Sequence, residues 1–208
     1  MDYVTNIFDL EMYIREIEDV YLTLTDKFYN EGEFEFGNLN KLSVNDALKN
    51  PKFISKIVPE YINFMNKHIF DSQLIELETI PGFRSRVKKY KTVLLKLNHY
   101  KNRENTVNKD GERMGTLYIG KSLNDLFGVR IFVNDLNENS GKVLHLLKNC
   151  GIKSIKRPYE RNDGNYRAIH LYLKDKNTHF SWEIQLWDVT WIEKNDLAHL
   201  EHEEERKL

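Results

Sequence analysis

The sequence predicts an α+β fold: a mixed β-sheet of about five strands flanked by helices, with a helical appendage at the N-terminus. Three features carry that prediction. Apolar residues in the first stretch, from Ile7 to Phe28, recur at alternating spacings of three and four, as on one long helix. From Val129 onward the pattern changes to short apolar runs in which polar residues alternate, as strands require. Two such runs, 168–173 and 180–187, are joined by a polar turn at 174–178, which makes them antiparallel neighbours. Interspersed strands and helices indicate a mixed sheet rather than a regular βα repeat.

Taken in order, the first helix carries Ile7, Leu10, Ile14, Ile17, Tyr21, Leu24 and Phe28 in a narrow seam. A seam this narrow suits association with a second copy or a neutralising partner protein; packing onto a second helical stretch, 52–70, is the alternative. Gly32 and Gly37 break the chain, Ser43 can cap a short helix, and Pro51 and Pro59 punctuate the second stretch. Pro81-Gly82 is the clearest break, which divides the chain into a helical region, 1–80, and a main domain, 81–208. Residues 84–97 read as a helix with Val87, Val93, Leu94 and Leu97 inward. The polar segment 98–121, with Gly111, Gly115 and Gly120, reads as a loop or irregular hairpin. Then come a strand at 129–133, an amphipathic helix at 138–149, a short strand at 152–155, the hairpin, and a final helix from about Val189.

The chain has 208 residues, 40% hydrophobic and 30% charged, which describes a globular protein rather than a disordered one. No apolar run approaches the roughly 18 residues of a membrane span. Met1-Asp2-Tyr3 lacks the basic start of a signal peptide, and the single cysteine, Cys150, fits a reducing compartment, so the expected location is the cytoplasm. The formal net charge of −1 conceals a polarity. Residues 1–78 hold 15 acids against 7 bases, whereas residues 84–121 hold 11 bases against three acids. A local excess of that size attracts phosphates.

Several polar residues interrupt apolar patterns where chemistry could use them. Arg130 breaks the 129–133 strand, and a buried-strand Arg needs a partner or an anion. Glu183 and Gln185 alternate with Trp182, Ile184 and Leu186, so both face one side, which His170 on the adjoining strand can share. Asp125 and Glu183 beside a basic surface suit a magnesium–triphosphate site: hard oxygen ligands for the ion, Lys and Arg for the phosphate oxygens. There is no Walker motif and no kinase signature. His145, His199 and His202 lack partners at metal-ligand spacing, so zinc is not expected.

These residues carry a resemblance. Asp125-Leu126-Phe127-Gly128-Val129-Arg130-Ile131, Tyr166-Arg167-Ala168-Ile169-His170 and Glu183-Ile184-Gln185-Leu186 resemble, in order, the signature of the RelA/SpoT synthetase domain. Ser85-Arg86-Val87-Lys88 is similar to that family's upstream R-x-K stretch, and the segment from Asn195 to His202 to its closing helix. The resemblance covers about residues 80–205. It implies a nucleotidyltransferase-like sheet in a small alarmone synthetase. The implied reaction moves the β,γ-pyrophosphate of ATP to the ribose 3′-hydroxyl of GTP or GDP, making (p)ppGpp and AMP with Mg2+. By the same resemblance Arg86, Lys88, Lys96 and Arg130 hold ATP, while Asp125 and Glu183 are catalytic and bind the metal. Tyr166 would stack on the acceptor base, with His170, Gln185 and Asn195 on its ribose or phosphates.

The chain departs from that pattern in places. Trp187-Asp188 stands where the family has Arg-Thr, Asn165 intervenes between Gly164 and Tyr166, and matching Asn195 requires a three-residue insertion after Glu183. The chain also ends at Leu208 with little room for the C-terminal helices through which small synthetases associate. Two further readings follow. One is a toxin-type relative that pyrophosphorylates tRNA 3′ ends or adenine nucleotides, with an antitoxin as possible partner. The other is a catalytically silent nucleotide- or partner-binding module.

Overall fold

The computed structural model describes residues 7, 9–31, 37–69, 72–104, 106–107, 111 and 114–205. Gly32, Phe70, Lys109, Arg113 and the terminal Leu208 lie outside the described residues, as does the side chain of His202. Five strands form one mixed sheet: β1 (Phe83–Val87), β2 (Phe127–Val133), β3 (Ile155–Asp163), β4 (Tyr166–Leu173) and β5 (Trp182–Asp188), in the spatial order β1-β2-β5-β4-β3. Only the β2–β5 pair is parallel; the other three are antiparallel. The helices are α1 (Leu10–Glu31), α2 (Val44–Leu48), α3 (Val58–His68), α4 (Leu74–Glu78), α5 (Tyr90–Arg103), α6 (Ile119–Ser122), α7 (Leu136–Asn149) and α8 (Ile192–Glu205). A π-helical segment, Lys52–Ile57, leads into α3. Ser43 caps α2 as expected, its hydroxyl accepting from the Asp46 N–H. Among the described residues, no helix is long and apolar enough to cross a membrane.

The α1 seam faces inward. Leu10, Ile14, Ile17, Tyr21, Leu24 and Phe28 are all buried. Tyr21 meets Trp182 of β5 edge-on with ring centroids 5.4 Å apart, and Phe28 packs on Tyr61 and Phe64 of α3. Polar contacts fix the helix further: the Tyr21 hydroxyl donates to Asp175 (2.8 Å), and Tyr29 accepts from the Phe180 N–H (2.8 Å). This corrects the association reading of the seam. A narrow stripe suffices here because the sheet and α3 cover it from two sides. Trp182 links the layers, for its indole N–H donates to the Tyr61 hydroxyl at 3.0 Å. One apolar cluster takes residues from both sides of Pro81-Gly82.

Two elements differ from the sequence expectation. Residues 83–87 form an edge strand rather than the start of a helix, and the helix is α5, which begins at Tyr90 and runs to Arg103. The reason lies in alternation: Phe83 is buried, Ser85 and Val87 are half-buried, and Arg84 and Arg86 point out between them. The third strand runs through 155–163 instead of ending at 155. A register shift between Lys156 and Tyr159 carries it past Pro158, and Arg157 takes a left-handed backbone (φ 47°) to do so. Gly164 (φ 58°) then turns the chain into β4.

Candidate active site

Side chains alternate along a strand, so the register across the sheet fixes which residues share a face. Arg86 pairs with Gly128, Gly128 with Glu183, and Glu183 with Tyr172. Two residues along, Arg84 pairs with Arg130, Arg130 with Gln185, Gln185 with His170, and His170 with Tyr159. One face therefore carries cations at its β1–β2 side, an acid and amide at its centre, and a His–Tyr pair at its β4–β3 side. The other face carries Phe127, Val129, Ile131, Ile184, Leu186 and Leu171 into the core. The expected sharing of a polar face by Glu183, Gln185 and His170 is present.

At the centre the polar groups hold one another. His170 Nδ1 lies 3.0 Å from Glu183 Oε1, and His170 Nε2 lies 2.8 Å from the Tyr166 hydroxyl. With a proton on Nδ1, His170 donates to Glu183, while its Nε2 meets the Tyr166 hydroxyl. Glu183 also accepts from the Tyr172 hydroxyl (3.2 Å) and from the Gln185 amide (2.9 Å). Burial alone would raise the Glu183 carboxyl, but the hydrogen bond and charge of His170 outweigh it and lower the pKa. Glu183 is thus a fixed carboxylate.

Asp125 stands just before β2 and is held by charges. Lys88, where β1 ends, and Lys96 of α5 both donate to it, the latter at 2.8 Å. Burial would raise the Asp125 carboxyl; the Lys96 and Lys88 ammoniums reverse that and hold it well below the usual carboxylate range. Lys88 bears a cost, since burial pushes its ammonium down to about 8 despite the attraction of Asp125. Asp125, Lys88, Lys96, Arg86, His170, Glu183 and Gln185 border one cavity of about 240 Å³. Arg130 borders an adjoining cavity of about 160 Å³ with Arg84, Arg86, Glu183 and Gln185.

Arg130 is the strand cation that needed a partner. Its guanidinium sits 3.4 Å above the centre of the Trp187 ring and pairs with Asp196 at 3.2 Å. Burial lowers its pKa to about 10, with Arg86 adding to the shift, so it stays charged at neutral pH. Trp187 therefore supports the Arg130 guanidinium from below. Asp188 serves the backbone, accepting from the N–H groups of Thr190 and Asn137, each at 2.8 Å.

Two expected acceptor contacts do not reach the cavities. Asn195 is fully buried, accepting from the Arg167 N–H and donating to the Arg167 carbonyl, both at 2.9 Å. Arg167 lies two residues beyond the last β4–β5 pair, Ile169 with Leu186, so the Asn195 amide stands in for the missing strand. Tyr166 is 2% exposed, edge-on to Trp187 and His199 beneath α8, with the Arg161 guanidinium 5.0 Å over its ring. It positions His170 and presents no stacking surface to a cavity.

Other residues went unforeseen. Tyr159 is 42% exposed and stacks parallel to His170, with centroids 5.6 Å apart. Tyr172 donates to Glu183, and His199 borders the same cavity as Glu183. Burial, with Arg130 and Arg86, pushes His199 down to about 3, leaving a neutral ring. Extending the alternation Tyr159–Arg161 past Pro158 is the sequence signal that would have exposed the β3 contribution.

Among the described residues no group of three His, Cys, Asp or Glu is placed to hold a metal ion. The two cavity carboxylates nonetheless fit magnesium in kind, because that ion uses one or two carboxylates and completes its shell with water and substrate phosphates.

No family model matches the chain, and no curated protein matches it. Among solved structures it is similar to small alarmone synthetase 1 from Bacillus subtilis, at 21% identity over 72% of each chain with a TM-score of 0.35. It is also similar to small alarmone synthetase 2 from Bacillus subtilis, at 19% identity, 76% of this chain and 81% of that one, TM-score 0.32. A third likeness is to synthetase 1 bound to AMPCPP, at 17% identity over 72% of each chain, TM-score 0.32. At such scores the likeness assigns no residue a role.

Proposed function

We propose that the chain is an ATP-dependent pyrophosphotransferase acting on the ribose 3′-hydroxyl of GTP or GDP. The observation that carries this reading is the single sheet face on which Arg84, Arg86 and Arg130 flank the buried Glu183–His170 pair, with Lys88, Lys96 and Asp125 at its edge. In the transfer, the 3′-oxygen attacks the β-phosphorus of ATP, the bond from that phosphorus to the α,β-bridging oxygen breaks, and AMP leaves. The hydroxyl proton passes to the Glu183 carboxylate, and AMP leaves with its new terminal oxygen charge facing the cations. Such a reaction needs positioning and charge neutralisation more than covalent chemistry. Arg86, Lys88, Lys96 and Arg130 bind the donor phosphates, and Glu183, held by His170, Tyr172 and Gln185, orients the attacking hydroxyl. Magnesium, held by Asp125 and Glu183, would supply further neutralisation of the transferred group.

The resemblance of the three ordered motifs supports the choice of this reaction over simple phosphate binding. The intact network around Glu183 weighs against a silent module. Incubation with γ-labelled ATP, magnesium and, separately, GTP, GDP, unlabelled ATP or bulk tRNA tests the reading. Label on GTP or GDP is expected; label on tRNA or the adenine nucleotide alone would move the protein to the toxin-type reading, and no labelled acceptor would overturn it.

A further inference from the structure

The row beyond Arg130 on the polar face is apolar. Phe132 and Trp187 are register partners there, and with Tyr166, Ala168 and Ala198 of α8 they form a second apolar cluster, separate from the main core. Trp187 is fully buried. Arg130 pairs with Gln185, two residues before Trp187, so its guanidinium reaches diagonally across the strands to lie 3.4 Å above the indole centre. His199 of α8 stacks on the same indole with centroids 5.3 Å apart, and Tyr166 meets it edge-on.

Packing alone does not account for this tryptophan. Its buried indole N–H makes no well-formed hydrogen bond among the described residues, a cost that leucine or phenylalanine would avoid. What the indole adds is the best π-face a side chain offers to a cation. Arg130 has use for that face, because its direct cross-strand neighbour is Arg84, and both Arg86 and Arg84 repel its charge. Among the described residues the one carboxylate paired with Arg130 is Asp196, through a single contact of 3.2 Å. The Asp196 side chain is 49% exposed against 17% for Arg130. A pair with one partner in water is weak and screened by salt. A phosphate group, by contrast, can take a guanidinium bidentately and brings more charge.

We propose that two residues divide the handling of Arg130: Trp187 is a positioning residue that fixes the guanidinium for the donor phosphates, and Asp196 is a resident counter-ion that a donor phosphate displaces. The proposal rests on the transfer reading for its ligand, and it gives α8 a part in donor binding that the reading does not include. Trp187 is also one of the positions at which the chain departs from the family it resembles, so this seat for Arg130 lies outside the ordered motifs.

The test is equilibrium dialysis of labelled α,β-methylene ATP against the full chain with magnesium. The methylene replaces the bridging oxygen at the bond that must break, so binding is read without turnover. Trp187→Leu is expected to weaken binding about tenfold or more, and Trp187→Phe, which keeps a ring face, less than about threefold. Asp196→Asn is expected to tighten binding about threefold or more, and at a half-exposed position this arm does not depend on a core substitution folding. In an Arg130→Gln background both effects should shrink below about twofold, because each acts through the guanidinium. Four results would overturn the proposal: a Trp187→Leu loss that persists without Arg130, Trp187→Phe as weak as Trp187→Leu, unchanged or weaker binding in Asp196→Asn, or no binding by the wild type. Should labelled ATP modify no acceptor while the dialysis pattern holds, the transfer reading fails and the Arg130 seat stands. Transfer to an acceptor with unchanged binding in Asp196→Asn sinks the seat alone.

Discussion

The two faces of the sheet share one backbone and one register but meet opposite demands. On the core face Val129, Ile184, Leu186 and Leu171 are covered by helices, and α1 adds Ile14, Ile17 and Tyr21 to the same cluster. On the other face buried polar groups are satisfied by one another: Glu183 by His170, Tyr172 and Gln185, and Arg130 by Trp187 and Asp196. Period-two alternation thus separates stability from chemistry, one residue apart along each strand. The difference teaches where substitutions should cost folding and where they should cost turnover. Asp125 and Asn195 are the places where the two costs mix.

The largest effect is expected on the core side. Ile14→Glu with Ile17→Glu places two charges in a cluster where each isoleucine contributes about 1.5–3 kcal/mol by burial. Circular dichroism should show loss of the fold; a folded, smaller species by light scattering would instead restore the association role of α1.

Next come the two carboxylates, which sharpen the comparison. Asp125→Asn leaves Lys88 and Lys96 buried without their counter-charge, so it should lose transfer and also about 3 kcal/mol of stability. Glu183→Gln leaves no buried lysine without its counter-charge and should lower the rate at least a hundredfold while costing about 1 kcal/mol in urea unfolding. Equal stability losses in the two variants would contradict the contrast between a carboxylate held by two buried lysines and one held by His170, Tyr172 and Gln185.

Asn195→Ala removes two hydrogen bonds to the Arg167 backbone, which should cost about 1–3 kcal/mol. The KM values for ATP and acceptor should move together, since the amide anchors α8 rather than a substrate. A selective rise in acceptor KM would return Asn195 to the acceptor site.

The smallest effect is a pH dependence at Lys88. Its folded pKa, about 8, lies below the ordinary lysine value of about 10.4, so between those values the unfolded chain binds more protons. The Lys88 contribution to stability therefore rises as pH climbs from about 8 toward 10. The KM for ATP should rise severalfold over the same window as the ammonium loses its proton. Lys88→Arg should flatten the KM profile, and a flat wild-type profile would contradict the role of Lys88.

Strand periodicity makes much of the polar face legible in the sequence. Glu183 and Gln185 declare their common side by alternating with Trp182, Ile184 and Leu186, and His170 follows from the hairpin. Contacts between distant segments were not legible in the same way. Lys88 and Lys96 meet Asp125 across 37 and 29 positions, and local pattern carries no trace of that pairing. The edge strand β1 was hidden because the helical spacing of α5 begins three residues after it. Pro158 concealed the length of β3, which passes it on an irregular register. Motif order points to Tyr166 and Asn195 but carries no sign that α8 buries one ring and spends one amide on Arg167.

The central claim is that this polar face moves a pyrophosphoryl group as a unit. ATP labelled at both the α- and γ-phosphates, mixed with magnesium and GDP and followed through single turnovers, tests it directly. The account requires α-label in AMP and γ-label in the guanine nucleotide, in equal amounts and at equal rates. Appearance of α-label in ADP, with γ-label in free phosphate or in a singly phosphorylated acceptor, would contradict it.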